Sequence, residues 1–300
     1  MTSVHIGKLV VVGVGLVGGS FALALKRAGA TRTVVGVGRS RGNLAAAERR
    51  GIVDRAFTLD EAWTAELGDA DLVLLATPVG QMRSLFETIA PALGAHTVVT
   101  DAGSTKQDVV AAARAALGGA LPRFVPGHPI AGTEHSGAGA AFEALFRDKQ
   151  VVLTPLAETD AEALSRVGAC WTRCGAVVRH LEPLRHDAIF AAVSHLPHAL
   201  AFALMAELAA RPDAEQCLAL AGSGLRDFTR LASSQPEMWR DVCLANRDLL
   251  RGELSAYRDR LGRVDALLAQ GDGAALLRLF ERARDAREGW LERARGGDEV

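Results

Sequence analysis

The chain has few cysteines, almost no net charge and no basic tract. Its four cysteines form no C-x-x-C pair, and we expect them to be reduced structural thiols. The net charge of −1 gives no bias toward nucleic acid. Beyond an N-terminal apolar segment, we find no apolar run of membrane-spanning length in the sequence. These absences predict a protein without nucleic-acid or membrane partners.

The composition is typical of a globular enzyme of the cytoplasm. The 300 residues are 49% hydrophobic and 23% charged, which is enough apolar material for a sizeable core. Two domains are the natural expectation at this length. We therefore expect a cytoplasmic, two-domain protein.

A glycine-rich segment, KLVVVGVGLVGGSFALALKRAG, stands near the start of the chain. Gly13, Gly15 and Gly18 have G-x-G-x-x-G spacing between an apolar run and an amphipathic helix. Such a fingerprint binds dinucleotides, because the glycines permit a tight turn, the approach of a pyrophosphate and close packing of helix on strand. The helix N-terminus supplies unpaired N–H groups for the phosphates. The predicted cofactor contacts of this loop are Gly13, Gly15, Leu16, Val17 and Gly18.

A secretory signal is the alternative for this segment, because Lys8 followed by apolar residues loosely resembles one. Four glycines within seven residues and the charged pair Lys26 and Arg27 argue against it. We therefore adopt the dinucleotide-binding interpretation.

Strand-like and helical patterns alternate over the first 181 residues. This alternation predicts an α/β, Rossmann-type fold with a doubly wound parallel sheet. Long helical segments rich in Ala, Leu and Arg follow. We expect a dinucleotide-binding domain at residues 1–181 and an all-α domain at residues 182–300. The predicted strands are Val10–Val14, Thr33–Val37, Asp71–Ala76, Thr97–Asp101, Arg123–Val125, Val151–Thr154 and Ala176–His180. The helices predicted for the second domain include His186–Ala210, Glu215–Leu231 and Glu237–Leu268.

The segment GHPIAGTEHSG, from Gly127 to Gly137, places His128 between a glycine and a proline. A strand-like run ends at Pro126, and Gly127 and Pro129 restrict the backbone on either side of the imidazole. We expect a turn that presents His128 to a cleft. Together with the glycine loop, this histidine predicts a dehydrogenase with a histidine base.

Ligands of parallel sheets bind beyond the carboxyl ends of the strands. Thr77 and Pro78 follow one predicted strand and are suited to lie beside the ribose or nicotinamide of a cofactor. Asp101 ends another strand, and we expect it among the cofactor contacts as well. In the DAGSTK segment that begins there, Ser104 either only caps the next helix or also offers its hydroxyl to the cleft.

Two histidines lie in the otherwise apolar helical segment SHLPHALAFAL. His195 and His198 are three residues apart, and buried polar side chains need partners or a cavity. A zinc site is one alternative, but no third Cys, His or carboxylate stands at helical spacing beside them. We therefore predict no metal and place both histidines in a wall of the active site.

Two arginines follow at helical spacing. Arg226 and Arg230 are at i and i+4, so they share one face of the predicted helix. Two guanidinium groups on one face suit a dicarboxylate. The alternative is a solvated basic face balanced by Asp227 and Asp241.

The end of the second predicted strand departs from the usual dinucleotide pattern. An acidic residue is expected there to bind the ribose 2′-OH, but the chain has Gly38 and Arg39. Arg39, Ser40 and Arg41 are therefore candidates to contact a 2′-phosphate. Alternatively, Ser40 only caps the next helix and both arginines are solvated. The cofactor is thus NAD or NADP, with a slight preference for NADP or for the use of both.

These motifs together resemble the prephenate/arogenate dehydrogenase family, the cyclohexadienyl dehydrogenases of tyrosine biosynthesis. GVGLVGGS, DAGSTK, GHPIAGTEHSG, SHLPH and RDFTR…MW occur in the family's order over nearly the whole chain. The resemblance implies oxidative decarboxylation of prephenate, or arogenate, with hydride transfer to NAD(P)+. It also implies an intertwined homodimer through the helical domain.

The resemblance further implies roles for single residues. His128 would accept a hydrogen bond and then the proton from the ring C4 hydroxyl of the substrate, with Ser104 orienting it. Arg230 would hold a substrate carboxylate. The implied lining of the substrate pocket is His195, His198, Glu134, Arg226, Arg230 and Trp239.

Three other functions stay open. Another two-domain hydride-transfer enzyme, such as a 3-hydroxyacid dehydrogenase or an imine reductase, typically has a catalytic Lys or other donor where this chain has His-x-x-His. A catalytically silent NADP-sensing module would keep the glycine loop without needing His128, Ser104 and Arg230 together. Within the family, the alternative is an arogenate-specific, NADP-dependent dehydrogenase.

Overall fold

The computed structural model describes residues 5–133 and 135–296, and its largest sheet has six parallel strands. The strands are β1 (Ile6–Val12), β2 (Thr31–Gly38), β3 (Arg55–Thr58), β4 (Leu72–Leu75), β5 (Val98–Asp101) and β6 (Phe124–Val125). Their order is β3-β2-β1-β4-β5-β6. The order therefore reverses between β1 and β4, and such a switch point opens a crevice at the carboxyl ends of the strands.

Helices cover both faces of this sheet. They are α1 (Leu16–Arg27), α2 (Arg41–Arg49), α3 (Met82–Ile89), α4 (Gln107–Ala116) and α5 (Ala161–Arg173). One core contains Phe21 and Trp171, with ring centroids 4.5 Å apart, and the other contains Phe86 and Phe124, 5.1 Å apart. Because both faces are buried, central strands such as β4 are apolar throughout. The predicted α/β, doubly wound class is confirmed.

A second sheet of three strands stands apart from the first. It consists of β7 (Gly127–Pro129), β8 (Gln150–Leu153) and β9 (Val177–His180), with β7 antiparallel to β8 and β8 parallel to β9. The two strands predicted near β8 and β9 therefore do not extend the large sheet. His128 pairs with Val152 in a short strand, so the predicted turn was wrong. A residue that precedes proline is driven to extended backbone, and this favours the strand.

The described residues from Pro183 onward are mainly helical. They form α6 (Pro183–Phe190), α7 (Leu196–Ala210), α8 (Ala214–Ala219), α9 (Ser223–Thr229), α10 (Pro236–Ala245), α11 (Arg247–Gln270) and α12 (Gly273–Gly296). A π-turn, Ala191–His195, joins α6 to α7 without a break.

Two of the predicted helices are divided. The helix predicted over Glu215–Leu231 is interrupted before α9, where Gly222 has extended backbone. The helix predicted over Glu237–Leu268 breaks at Asn246, which is buried and donates its side-chain amide to the carbonyl of Asp187 at 2.8 Å. A tertiary hydrogen bond thus overrides the local helical pattern at this position.

By compactness the chain forms two units, Met1–Leu249 and Leu250–Val300. The first contains both sheets and helices α1 to α10, and the second contains α12 and most of α11. Large apolar side chains are exposed on the second unit, namely Leu254, Leu261, Leu268, Leu277, Phe280 and Trp290. The predicted division into residues 1–181 and 182–300 stays a prediction.

One helical stretch, Pro183–Ala210, is long and apolar enough to cross a membrane by length and composition alone, with a mean hydropathy of 1.6. Our expectation that no such run exists was therefore wrong. Charged and imidazole side chains interrupt the apolar residues of this stretch, so the sequence has no continuous apolar run there. A single such helix is weak evidence for a membrane span, because helices of soluble proteins pass the same test.

Candidate active site

The glycine loop joins the end of β1 to the start of α1. Gly13 has a φ of +99°, and a Cβ there would lie 2.7 Å from the carbonyl carbon of Ala76. A Cβ at Gly18 would lie 2.8 Å from Cγ1 of Val11, so the helix packs directly on the strand. A Cβ at Gly15 would meet no described atom within 4 Å. The geometry thus matches the predicted turn, close packing and open approach.

The start of α1 fits the pyrophosphate of a dinucleotide. Gly15 is the N-cap, and no side chain of the described residues caps this end. Leu16 and Val17 form the first turn, where backbone N–H groups are unpaired and the helix dipole favours an anion. Thr77 follows β4 and precedes Pro78, and its buried hydroxyl has no hydrogen-bond partner among the described residues. Uncapped N–H groups, open space and an unpaired hydroxyl are what the pyrophosphate and ribose require.

The end of β2 carries two arginines in different states. Arg39 is exposed, whereas Arg41 forms an ion pair with Glu61. Ser40 caps α2 by accepting a hydrogen bond from the backbone N–H of Asn43 at 3.3 Å. The capping alternative for Ser40 is therefore what the structure shows. Arg41 has to leave Glu61 before it can bind a 2′-phosphate.

Asp101 has a structural role in place of the predicted cofactor contact. It lies at the end of β5 without exposed area. One carboxylate oxygen accepts from the N–H of Gly127 at 3.0 Å, and the other accepts from the N–H of Gly103 at 2.8 Å. The second oxygen also pairs with the ammonium of Lys106. Because both oxygens are occupied and buried, this side chain does not reach a cofactor.

His128 lies among buried rings. It is 9% exposed, and its Nδ1 is 2.8 Å from Nε2 of His186. Phe190 packs against both imidazoles, with ring centroids 4.8 Å from His128 and 4.5 Å from His186. Packing and one hydrogen bond therefore fix the position of this ring.

Asp187 holds His186 and caps α4. One of its oxygens is 2.8 Å from Nδ1 of His186 and accepts from the N–H of Lys106, also at 2.8 Å. The other accepts from the N–H of Gln107 at 2.9 Å. Ser104 is half-buried, and α4 has no cap from its neighbouring side chains. The hydroxyl of Ser104 is thus not committed to capping.

The histidines of this cluster are held neutral. Burial is the main cause that lowers the pKa of His128 well below 6.5, and repulsion from His186 and His195, when these are protonated, and from the charge of Lys106 lowers it further. Burial also lowers the pKa of His186, although Asp187 opposes this. For Asp187, burial disfavours ionisation, but hydrogen bonds from His186 and two backbone N–H groups lower its pKa. The carboxylate is therefore charged while the imidazoles are neutral.

Two further histidines, His195 and His198, lie beside Trp239, and these rings are called the aromatic wall below. His195 is fully buried, and burial lowers its pKa to about 4. His198 stacks on Trp239, with ring centroids 3.5 Å apart and an interplanar angle of 18°. The buried indole N–H of Trp239 has no hydrogen-bond partner among the described residues. This donor is therefore available to a polar ligand.

The π-turn explains how His186 and His195 reach one site. In a regular α-helix of 3.6 residues per turn, two residues nine apart face roughly opposite sides. The wider π-turn reduces this separation, and π-turns occur often at functional sites. Asn246 then links the two parts, because its amide lies 2.8 Å from the carbonyl of Asp187 and 3.1 Å from Nδ1 of His195.

The two predicted substrate arginines are exposed. Arg226 lies in α9, and Arg230 begins a 3-10 turn directly after it. The 3-10 turn that Arg230 begins packs against α7, which carries His198. Burial lowers the pKa of His198, and the charge of Arg230 lowers it further. Asp241, a predicted partner of these arginines, pairs with Arg240 instead. The last predicted pocket residue, Glu134, lies outside the described residues.

Sequence reasoning missed four residues of this site, namely His186, Asp187, Asn246 and Lys106. A His-Asp pair at the start of an apolar helix, and an asparagine between two helical patterns, are weak signals for buried polar groups. Neither signal indicates which partner the side chain meets.

Two family models match the chain. The model described as prephenate dehydrogenase, nucleotide-binding domain, matches residues 21–180. The model described as prephenate dehydrogenase, dimerization domain, matches residues 182–282. Together they span most of the chain.

Relatives and solved structures agree with these models. A prephenate dehydrogenase of Bacillus subtilis is 33% identical over 96% of this chain and 77% of its own length. The crystal structure of prephenate dehydrogenase from A. aeolicus, in complex with hydroxyphenyl propionate and NAD+, has a TM-score of 0.88 and 34% identity, covering 95% of this chain and 99% of that chain. The arogenate dehydrogenase of Synechocystis has a TM-score of 0.78 and 31% identity, covering 94% and 99%. The chain, with its nucleotide-binding glycine loop and its buried histidine cluster, therefore belongs to the prephenate dehydrogenase family of nicotinamide-dependent oxidoreductases.

Proposed function

We propose that the protein converts prephenate and NAD(P)+ to 4-hydroxyphenylpyruvate, CO2 and NAD(P)H, with His128 as the base. The observation that carries this proposal is the chain of hydrogen bonds from Asp187 through His186 to His128. The carboxylate of Asp187 accepts only, so Nδ1 of His186 is the donor and its Nε2 is an acceptor. Nδ1 of His128 then donates, and its Nε2 keeps a free lone pair for a proton.

The chain's own residues orient the substrate and remove one proton. A nicotinamide cofactor held at the glycine loop would supply the hydride acceptor for ring C4, and loss of CO2 from the substrate leaves an aromatic phenol, which makes the overall reaction strongly downhill. Nε2 of His128 takes the proton of the C4 hydroxyl, and the half-buried Ser104 helps to orient that hydroxyl. A positioned base contributes about 10²–10⁴-fold. Alignment of the reacting atoms adds at best roughly 7–11 kcal/mol.

The substrate's charged and aromatic parts fit the aromatic wall beside the base. Arg230 holds a carboxylate, since it is exposed, lies near His198 and has no ion-pair partner among the described residues. Trp239 and His198 offer a flat surface for the ring. His195, Arg226 and Glu134 complete the proposed pocket.

The proposed cofactor contacts are Gly13, Gly15, Leu16, Val17, Gly18, Thr77 and Pro78, with Arg39 and Arg41 at the adenosine ribose. We propose use of NADP, or of both cofactors, because β2 ends without an acidic residue and Arg39 is exposed. The ion pair of Arg41 with Glu61 weakens this preference.

The proposed assembly is a cytoplasmic homodimer. The match of residues 182–282 to a dimerization domain supports it, as do the exposed apolar side chains of α11 and α12. The division into domains at residues 181 and 182 follows the two matched ranges.

Turnover measurements test this function. Purified protein is assayed for NAD(P)H formation at 340 nm with prephenate and with arogenate, each with NAD+ and with NADP+. We expect turnover of prephenate, and kcat/KM for the four combinations decides both preferences. A preference for arogenate with NADP+ would favour the arogenate-specific alternative. Turnover of neither substrate, with turnover of a 3-hydroxyacid, would overturn the proposal.

A further inference from the structure

Lys106 is a fully buried lysine directly behind the proposed base. Its ammonium pairs with Asp101 and donates to the carbonyl of Gly127 at 2.7 Å. Its backbone N–H donates to Asp187 at 2.8 Å. A buried ammonium is costly unless it is paired and fully hydrogen-bonded. Because its burial is costly, Lys106, which belongs to the DAGSTK segment, is expected to have a role.

The ion pair holds the peptide groups on both sides of Gly127. The N–H of Gly127 donates to Asp101 at 3.0 Å, and its carbonyl accepts from Lys106. A Cβ at Gly127 would lie 2.9 Å from the carbonyl oxygen of Asp101, so the strand packs directly against the end of β5. Hydrogen bonds at both its N–H and its carbonyl thus fix the backbone of Gly127, the residue before His128.

A second route from Lys106 leads to the imidazole itself. Asp187 accepts the N–H of Lys106 and binds Nδ1 of His186 with the same oxygen. His186 in turn binds Nδ1 of His128. The backbone route and the side-chain route both begin at Lys106 and meet at His128, so hydrogen bonds and chain links together close a ring that runs through both residues.

We propose that Lys106 is a positioning residue, which fixes the backbone and the ring of His128 and keeps a positive charge behind them so that the imidazole stays neutral until it takes the substrate proton. The proposal rests on the role proposed above for His128. Lys106 does not touch the substrate in this arrangement and acts only through the base.

The charges around the base support this role. Besides burial, Lys106 lowers the pKa of both His128 and His186. Asp187 and Asp101 have the opposite effect and raise the pKa of His186. The charged and titratable groups that face His128 or its partner are His186, His195, Lys106, Asp101 and Asp187. Removal of Lys106 leaves two carboxylates without the balancing cation, which favours protonation of the imidazoles.

The test compares Lys106→Met with Lys26→Met. Lys26 is a matched control, because its ammonium also binds one carboxylate, Asp54 at 2.7 Å, and one carbonyl, Gly51 at 3.0 Å, but it lies at the far end of α1. The measurements are kcat and KM against pH, and the titration of His128 by NMR of histidine-labelled protein.

For Lys106→Met we expect kcat to fall about 10–100-fold while KM for NAD+ changes less than about twofold. The acid limb of kcat, and the NMR titration of His128, should move to higher pH by about one unit. Lys26→Met should leave all of these unchanged. An acid limb and a titration at the wild-type pH would overturn the proposal, whatever the change in stability.

If Lys106→Met does not fold, Lys106→Gln, which removes the positive charge but keeps an N–H donor for the carbonyl of Gly127, is measured in the same way. A shifted titration supports the proposal, and an unshifted one overturns it. Full activity of His128→Asn would instead contradict the proposed function. Because the NMR titration needs no turnover, it separates that failure from a failure of the role of Lys106.

Discussion

The buried histidine cluster and the exposed arginines differ in how far the protein itself fixes them. His128 and His195 are buried, hydrogen-bonded and neutral before any ligand arrives. Arg39 and Arg230 are charged and exposed. The cluster is fixed by tertiary contacts, whereas neither arginine has an ion-pair partner among the described residues.

This difference separates catalysis from binding. A preorganised neutral base loses little on reaching the transition state, so its effect appears in kcat. An exposed guanidinium pairs with a carboxylate or phosphate equally in the ground state and the transition state, so its effect appears in KM. Substitutions in the two regions should therefore differ in which kinetic constant changes.

The largest effect is expected for His128→Asn. It should lower kcat at least ~10²-fold and leave the affinity for cofactor near that of the wild type, because only proton removal is lost. In the wild type, kcat should stay constant as pH falls through 6.5 and decline only well below it, since burial lowers the pKa of His128 well below 6.5 and keeps the base neutral there. Steady-state kinetics against pH check both statements, with the exposed His96 replaced as control. Undiminished turnover would remove His128 from the mechanism.

The second effect concerns stability in acid. The pKa of His195 is about 4 when folded and about 6.5 when unfolded, so the unfolded chain binds the proton more tightly. The stabilising contribution is present above pH 6.5 and is lost as pH falls toward 4, by at most about 3 kcal/mol. Urea unfolding between pH 4 and 7 should show this slope, and His195→Asn should flatten it. An equal slope in the variant would show that other groups cause the acid sensitivity.

Arg230→Ala should raise KM for prephenate about 10–100-fold with a smaller change in kcat, since a charge-assisted bond contributes roughly 1.5–3 kcal/mol. Arg226→Ala is the internal comparison and should have a smaller effect. Initial-rate kinetics for both variants decide between them. A loss of stability with unchanged kinetics would show that Arg230 has a structural role. The exposed arginines would then not differ from the histidine cluster in the way proposed.

The smallest effect is expected at the adenosine ribose. Arg39→Ala/Arg41→Ala should weaken NADP+ relative to NAD+ by about 1–2 kcal/mol, at the low end for charged bonds because both arginines are exposed. Gly38→Asp should favour NAD+ and repel the phosphate, and its Cβ would meet Leu44 only at an ordinary 3.4 Å. If the ratio of KM for NADP+ to KM for NAD+ is the same in both variants as in the wild type, residues other than Gly38, Arg39 and Arg41 select the cofactor.

Local patterns predicted the part of the molecule that depends on nearby residues. The G-x-G-x-x-G spacing predicted the tight turn at Gly13, where the structure has a positive φ, and the close packing at Gly18. Both depend on backbone sterics within a few residues of the loop. The alternation of strands and helices likewise predicted the doubly wound sheet, because each element's burial pattern is written in its own sequence.

Other features depend on partners far along the chain. Asp187 caps a helix 80 residues away, and this cap decides that Ser104 is free. Asn246 breaks a predicted helix because it bonds to Asp187. The pairing of β7 with β8 turns a predicted loop at His128 into a strand. No local pattern contains these contacts.

The sequence by itself determined the fold class, the dinucleotide loop and the candidate base, because backbone sterics and hydrophobic periodicity act over short distances. Only the tertiary structure decided that His128 is neutral, which of its nitrogens keeps a lone pair and that Asp101 serves Lys106 rather than a cofactor. Burial and long-range hydrogen bonds set these properties, and both exist only once segments such as β5, β7 and α6 have come together.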